Sequence, residues 1–482
     1  MGLFVKISWI FYKEFTFMER ERLGSRLGFI LLSAGCAIGV GNVWKFPWMV
    51  GQNGGGAFVF FYLLFLVIIG LPIMLVEFSL GRASRKSIAG LYQVLEKPGQ
   101  KWHLHGSFAL VANVLLMMFY TSVAGWILYY FVSFLSGNMT GLTDAQSAEL
   151  FPSMQSNPAI MVGFMALVVV LGFFILSFGL QKGVERVTKY MMIILLVLMV
   201  VLAVYGFTLS GAKEAITFYL KPDFSKINGS VIVAAMNQAF FTLSLGVGSM
   251  TIFGSYIGKE RSLLGESMNI LVLDTFVAIV AGFVVFPACF TFDIAPSAGP
   301  KLLFVSLASV FNKMPGGRWW GAVFFIFMFF AAMSTVIAVF ENILACVREI
   351  KGWSRIKGCI ICGIAILILS IPCALGFNLW SAFKPFTAES SILDLEDFIV
   401  TNCLLPIGAL WALLFCVSKR GWGFDNFMNE VNTGKGLKIG KWIRPYMTYV
   451  LPAVIVVIFI IGIATFQFSD NFTIWGWIKG LF

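Results

Sequence analysis

Asp274 stands in the run Asn269-Ile270-Leu271-Val272-Leu273-Asp274-Thr275-Phe276-Val277, with no basic residue near it in the sequence. A carboxylate in such surroundings is expensive unless it is paired. A cation from solution is one partner, and hard oxygen donors of the kind offered by Asn42, Thr242 and Asp274 suit an alkali ion such as sodium. A protonated or helix-paired structural acid is the other reading of the same residue. Ser334-Thr335 is a hydroxyl pair in an apolar run, which on its own can bond its helix carbonyls to no functional end. Two Gly-x-Gly triplets, Gly39-Val40-Gly41 and Gly246-Val247-Gly248, lie beside Asn42 and beside Thr242 and Ser244.

The elements that would position these groups are membrane helices. Of the 482 residues 59% are apolar and 12% charged, which excludes a water-soluble globular domain. Nearly uncharged stretches of bilayer-spanning length recur near 27–50, 57–80, 107–135, 159–179, 190–210, 230–256, 268–291, 319–347, 358–378, 392–418 and 446–467, eleven in all. The tail from Phe468 is too short and polar for a twelfth. Glycine weakens a helix by roughly 1 kcal/mol, and the two triplets fall mid-membrane in spans 1 and 6. Unwound backbone at that depth is tolerated only where protein or a polar ligand satisfies it. Glycines that merely allow close helix packing would not need Asn42, Thr242 and Ser244 beside them. Breaks five spans apart fit an inverted repeat of two five-helix halves, 27–210 and 230–418, with residues 1–26 before them and 446–482 after.

Loops on alternate sides differ sharply in charge. The segment before span 1 and the even-to-odd loops hold 25 of the 34 Lys and Arg residues, which predicts a cytoplasmic N-terminus and an external C-terminus. The net charge of +11 then reflects topology and attraction to anionic lipid rather than nucleic-acid binding. The eight cysteines are scattered and mostly lie inside spans, so they suggest no disulfide framework. A membrane-embedded enzyme would need a nucleophile–base pair or metal ligands at depth. The two histidines, His103 and His105, instead fall in the loop after span 2, where solvated side chains are expected.

Four stretches together resemble the neurotransmitter:sodium symporters, in particular their bacterial amino-acid transporters with the leucine-transporter fold. They are Arg26-Leu27-Gly28, Gly39-Val40-Gly41-Asn42-Val43-Trp44-Lys45-Phe46-Pro47, Asn53-Gly54-Gly55-Gly56-Ala57-Phe58 and Gln238-Ala239-Phe240-Phe241-Thr242-Leu243-Ser244-Leu245-Gly246. The resemblance implies two sodium sites: one from Ala37, Asn42, Thr242, Asp274 and a substrate carboxylate, the other from Gly35, Ile38, Ala331, Ser334 and Thr335. It implies an amino acid held by Ala37, Val40, Gly41, Tyr120, Phe241, Thr242 and Ser244, with Leu116, Val247, Thr335 and Val339 around its side chain, a mostly apolar set that favours a hydrophobic substrate. Tyr120 and Phe241 would form an outer lid beneath a Lys45–Asp397 gate pair, and Arg20 with Glu349, Tyr256 and Glu341 an inner gate.

Four departures from the family pattern matter. Lys45 replaces the commoner arginine and with it bidentate geometry; Leu23 replaces a tryptophan beside the inner gate; the twelfth span is missing, which leaves oligomeric state open. Asp274 replaces an asparagine and would supply the negative charge that chloride supplies in animal members, so chloride is not expected to be required. Gly39 stands where monoamine carriers have an aspartate, which implies a substrate with its own carboxylate. The expectation is a sodium-coupled importer of a hydrophobic amino acid in a bacterial inner membrane. A proton-coupled or exchange-type carrier of the same fold, or a non-transporting amino-acid sensor, is the alternative.

Overall fold

The computed structural model describes residues 21–139, 141–295, 302–313, 316–469 and 472–479. Among them nine helices are long and apolar enough to cross a membrane: Gly56–Ser84, Leu104–Ser136, Pro158–Ser177, Leu180–Phe207, Leu263–Thr291, Gly317–Lys351, Arg355–Leu375, Ile392–Val417 and Lys441–Ala464. They stand where spans 2–5 and 7–11 were expected. Span 1 is a pair of helices, Arg26–Ala37 and Gly41–Gln52, bent by 56°. Span 6 is likewise two short helices, Gly229–Thr242 and Ser249–Tyr256, separated by non-helical residues. The protein is an all-α membrane fold, apart from two short antiparallel strands, Gln467–Ser469 and Phe472–Thr473.

Hydropathy marks only the part of a helix inside the bilayer, so the observed helices overrun their expected limits. Span 8 continues through Arg348 and Lys351 and stops at Gly352, whose φ of 66° is open to glycine and costly to other residues. The stretch 136–158 holds a further helix, Asp144–Ser156, started by a reciprocal capping box between Thr143 and Gln146. Besides Leu180–Glu185 at the start of span 5, four spans contain a widened π-helical stretch, Gly41–Lys45, Leu66–Gly70, Ile399–Leu404 and Tyr446–Val450. In each of these four, the second residue beyond the stretch is a proline: Pro47, Pro72, Pro406 and Pro452. Proline has no N–H to donate and crowds the carbonyl four residues back, and the widened turn absorbs both.

Span 8 is the axis of the bundle, with 83% of its most apolar window buried against 28% for span 11. It lies along span 3, while spans 4 and 9 pack together beside them. The second half of span 6 packs on span 2 as the second half of span 1 packs on span 7, and span 5 meets span 8 as span 10 meets span 3. Such reciprocal pairing is what two five-helix halves of one design produce. The basic loops collect at one end of the bundle, called the basic end below. There the Glu185 carboxylate accepts from the Gly24 and Ser25 amides at 2.7 and 3.0 Å, and Arg26 pairs with Glu266 at 3.0 Å. A side chain at Gly28 would collide with Glu185, which explains the Arg26-Leu27-Gly28 sequence.

Candidate functional site

The two breaks face each other. The first half of span 1 ends at Ala37, and Ile38, with ψ of 101°, turns the chain out of the helix. In span 6 Ser244, Gly246 and Gly248 all have positive φ, of 50°, 98° and 75°. A Cβ at Gly246 would lie 2.1 Å from the Leu405 carbonyl oxygen, so glycine is required there both for conformation and for space. Ser244 holds the left-handed region without that freedom, and its hydroxyl donates to the Cys36 carbonyl at 3.4 Å, tying one break to the other.

Unwinding frees polar backbone groups, and side chains from neighbouring spans take them up. Glu77 accepts from the Gly246 amide at 2.6 Å and the Met250 amide at 3.1 Å. The Val247 carbonyl accepts from Asn113 at 2.8 Å and from Asn342 at 3.4 Å. Asn113 and Asn342 were not singled out in the sequence, although an asparagine at membrane depth is itself a signal.

Asn42, Thr242 and Asp274 converge beside the breaks. The Asn42 amide nitrogen donates to Asp274 Oδ1 at 2.8 Å, and its oxygen accepts from the Gly39 amide at 3.2 Å. Asp274 Oδ2 and Thr242 Oγ1 are buried without a well-formed hydrogen bond among the described residues. The Thr242 hydroxyl faces the Asp274 carboxylate, and oxygens so placed in apolar surroundings are donors that a cation could share. Ala37 and Thr242 each end a half-helix, where carbonyls lack helical partners.

The second oxygen cluster is tighter. Ser334 Oγ lies 3.4 Å from the Ile38 carbonyl oxygen and 2.9 Å from that of Ala331. Thr335 Oγ1 lies 3.3 Å from the Gly35 oxygen and 3.4 Å from those of Ile38 and Ala331. The two hydroxyls thus face carbonyls of span 1 as well as one of their own helix, and all five groups are oxygen donors. Space at Gly35 is tight, since a Cβ would meet Ser334, Met192 and Thr188 at 3.1–3.2 Å.

Between the clusters lie the residues expected to hold substrate. The Val40 amide donates to the Tyr120 hydroxyl at 3.1 Å, at the N-terminal end of the second half of span 1, where the helix dipole favours an anion. Leu116, Val247, Thr335 and Val339 are buried, whereas Gly41, Tyr120, Phe241 and Ser244 are half-buried. A Cβ at Gly39 would sit 2.7 Å from the Tyr120 hydroxyl and 2.8 Å from Thr335 Oγ1, so an aspartate there would collide with both.

Toward the far end, the expected Lys45–Asp397 pair is not formed. Lys45 Nζ lies 3.8 Å from the centre of the Phe241 ring, and Asp397 accepts from Thr401 at 2.7 Å, one turn along its own helix. At the basic end Arg20 lies outside the described residues, and Glu349 accepts from the Ser87 amide at 3.0 Å and the Ser87 hydroxyl at 2.6 Å. Tyr256 donates to Glu341 at 2.7 Å. Beyond them Arg355 pairs with Glu341 at 2.5 Å and with Glu21 at 3.2 Å, and Arg348 with Glu21 at 3.1 Å. Burial would raise the Glu21 carboxyl, but Arg355 and Arg348 outweigh it and hold it below its ordinary value. Sequence reading named Tyr256 and Glu341 but missed Glu21, Arg348 and Arg355, which stand outside the expected spans, in segments read as loops.

The same end corrects the reading of the histidines. His105 is buried on span 3 rather than solvated in a loop, with Nδ1 2.5 Å from the Tyr92 hydroxyl. His103 pairs with Glu96 at 2.6 Å. An apolar helix that starts three residues earlier than hydropathy indicates carries His105 inward with it.

The model of the sodium:neurotransmitter symporter family matches residues 20–158 and 146–481. The chain belongs to that family. An uncharacterized sodium-dependent transporter of Bacillus subtilis is 36% identical over 450 residues, 92% of this chain and 98% of the relative. Another, from Methanocaldococcus jannaschii, is 30% identical over 465 residues, 91% of this chain and 90% of the relative. The crystal structure of MhsT in complex with L-phenylalanine is similar with a TM-score of 0.82 and 35% identity, over 92% of this chain and 99% of that one. This member of the symporter family is thus a multi-pass, sodium-dependent transporter and not an enzyme.

Proposed function

We propose that the protein imports a hydrophobic amino acid by sodium symport, with its N-terminus in the cytoplasm of a bacterium and its spans in the inner membrane. The observation that carries this reading is the convergence of Asn42, Thr242 and the buried Asp274 on two facing helix breaks. A sodium ion there touches the substrate carboxylate, which the Val40 and Gly41 amides and Tyr120 orient. Each then lowers the other's cost of entering the membrane, and the coupling is reciprocal. A second ion sits among Gly35, Ile38, Ala331, Ser334 and Thr335 and fastens span 1 to span 8. The apolar walls of Leu116, Val247 and Val339 select a hydrophobic side chain. The Asp274 carboxylate makes chloride dispensable. Spans 1, 2, 6 and 7 rock against the rest, opening the midplane to one side at a time.

Uptake of a labelled amino-acid panel into liposomes tests the proposal, with an inward sodium gradient against an equal potassium gradient and with chloride replaced by gluconate. Sodium-dependent, chloride-independent accumulation of apolar amino acids is the expected result. Accumulation that follows a proton gradient and ignores sodium would move the coupling to Asp274 as a titrating group. Binding without accumulation would make the protein a sensor.

A further inference from the structure

A groove of about 450 Å³ opens on the surface between spans 3 and 10 at the basic end, a size that holds a small ligand. Its walls are Leu104, Leu410 and Leu414, Trp411 forms its floor, and Lys101 and Trp102 stand at its mouth. The surface of a membrane-spanning bundle meets acyl chains, so an apolar groove on it is open to lipid. The two ends of this groove differ in chemistry. Inside it is apolar. At the mouth Trp102 Nε1 donates to the Arg420 carbonyl at 3.0 Å, which brings exposed Lys101 to the exposed pair Lys419 and Arg420. The nearby acid, Glu96, is already paired with His103. Trp102 and Trp411 meet edge to face with centroids 6.0 Å apart, and Trp411 Nε1 is buried with no hydrogen-bond partner among the described residues. Three positive side chains at a membrane edge attract anionic headgroups.

We propose that this groove is a specific site for one anionic phospholipid, its acyl chain along Leu104, Leu410 and Leu414 and its headgroup on Lys101, Lys419 and Arg420. The site reaches the transport machinery through packing. Trp411 stacks on His105 with centroids 5.9 Å apart, and a Cβ at Gly408 would lie 3.1 Å from His105 Nε2 and 1.9 Å from the Gly246 carbonyl oxygen. The lipid therefore bears, through span 10 and His105, on the break in span 6. The inference rests on the membrane fold and not on the choice of substrate, so its failure and that of the symport reading are distinguishable.

The test is native mass spectrometry and thermal unfolding of the delipidated, detergent-solubilised full chain titrated with phosphatidylglycerol or with phosphatidylcholine. One tightly held phosphatidylglycerol, with a stabilisation that phosphatidylcholine does not give, is expected. Affinity should fall about fivefold for each charge removed in Lys101→Gln and Arg420→Gln. Leu410→Trp, which fills the groove, should abolish retention, and Leu167→Trp, an exposed change on span 4, should leave it intact and so control for folding. Equal retention of both lipids would overturn the proposal, as would retention unaffected by Leu410→Trp. A dimer that excludes lipid, lost on Leu410→Trp, would assign the groove to a second copy instead and equally overturn it.

Discussion

At the basic end Tyr256, Glu341, Arg355, Glu21 and Arg348 form one continuous chain of hydrogen bonds and ion pairs, whereas at the opposite end Lys45 rests on the Phe241 ring and Asp397 bonds within its own helix. Both ends carry an acid and a base able to lock the bundle. Only one is locked. Arg355 and Glu341 are nearly buried, at 12% and 2% side-chain exposure, so their attraction is little screened. The contrast teaches that this conformation is held shut by charge at one end and merely covered by an aromatic ring at the other, which is the asymmetry that alternating access requires of any single state.

The largest expected effect lies between the two ends. If the midplane cluster binds sodium, the locks matter only because they decide which side the ion reaches. Asp274→Ala should then reduce sodium-dependent uptake by about a hundredfold or more, equivalent to roughly 2.8 kcal/mol, with the protein still folded by thermal unfolding. Uptake that retained its sodium dependence in this variant would separate the ends from the coupling altogether.

Next comes the basic lock itself. Removing one partner of a buried pair costs about 3–5 kcal/mol, because the other charge is left unpaired. Arg355→Gln strands Glu341 and should shift the population toward an opened basic end. Cys359, one turn along the same helix and 4% exposed, reports this directly. Its labelling by a water-soluble maleimide should speed up about a hundredfold relative to the unsubstituted chain. Unchanged labelling would mean that the ion pairs decorate a closure set by packing.

How much of this was legible from the sequence follows from the range over which each signal acts. The breaks could be read because glycine and a polar neighbour stand within a few residues of each other at membrane depth, as in Gly39-Val40-Gly41-Asn42. The fold class could be read because twenty apolar residues have few alternatives. Ser334 and Thr335 needed the family resemblance, since a hydroxyl on a helix is ambiguous until Gly35 and Ile38 are known to face it. The basic lock was legible only in Tyr256 and Glu341: Glu21 and Arg355 lie over three hundred residues apart, and nothing local distinguishes a locking arginine from a topological one. His105 was misassigned because hydropathy places a boundary to within a turn, and one turn separates water from the core.

The pH dependence of the basic lock is a smaller effect. The Glu21 carboxyl is lowered by Arg355 and Arg348 in the folded protein, so its contribution is complete above the ordinary carboxylate value and fades as pH falls through the lowered one. Thermal stability should therefore be flat from pH 8 down to about 5 on account of this group and lose an increment below that. The increment should be absent from Glu21→Gln, whose lower stability at neutral pH should converge on that of the unsubstituted chain in acid. A difference between the two that persisted in acid would assign the role of Glu21 to packing.

The smallest effect belongs to the open end. A cation over an aromatic face at a half-exposed site is worth about 0.5–1 kcal/mol, so Lys45→Gln should raise the KM for substrate about two- to fivefold and leave Cys359 labelling unchanged. This variant also tells whether the opposite lock ever closes. Among the described residues Lys45 acts through Phe241 and not through Asp397, and Asp397→Asn should then add nothing beyond its own small cost. If the two residues pair in another state of the cycle, the double variant will be less impaired than the sum of the single ones, because the second substitution removes a partner already lost. Additivity would leave the far end with a lid and no latch, and the cycle would then be gated by charge at the basic end only.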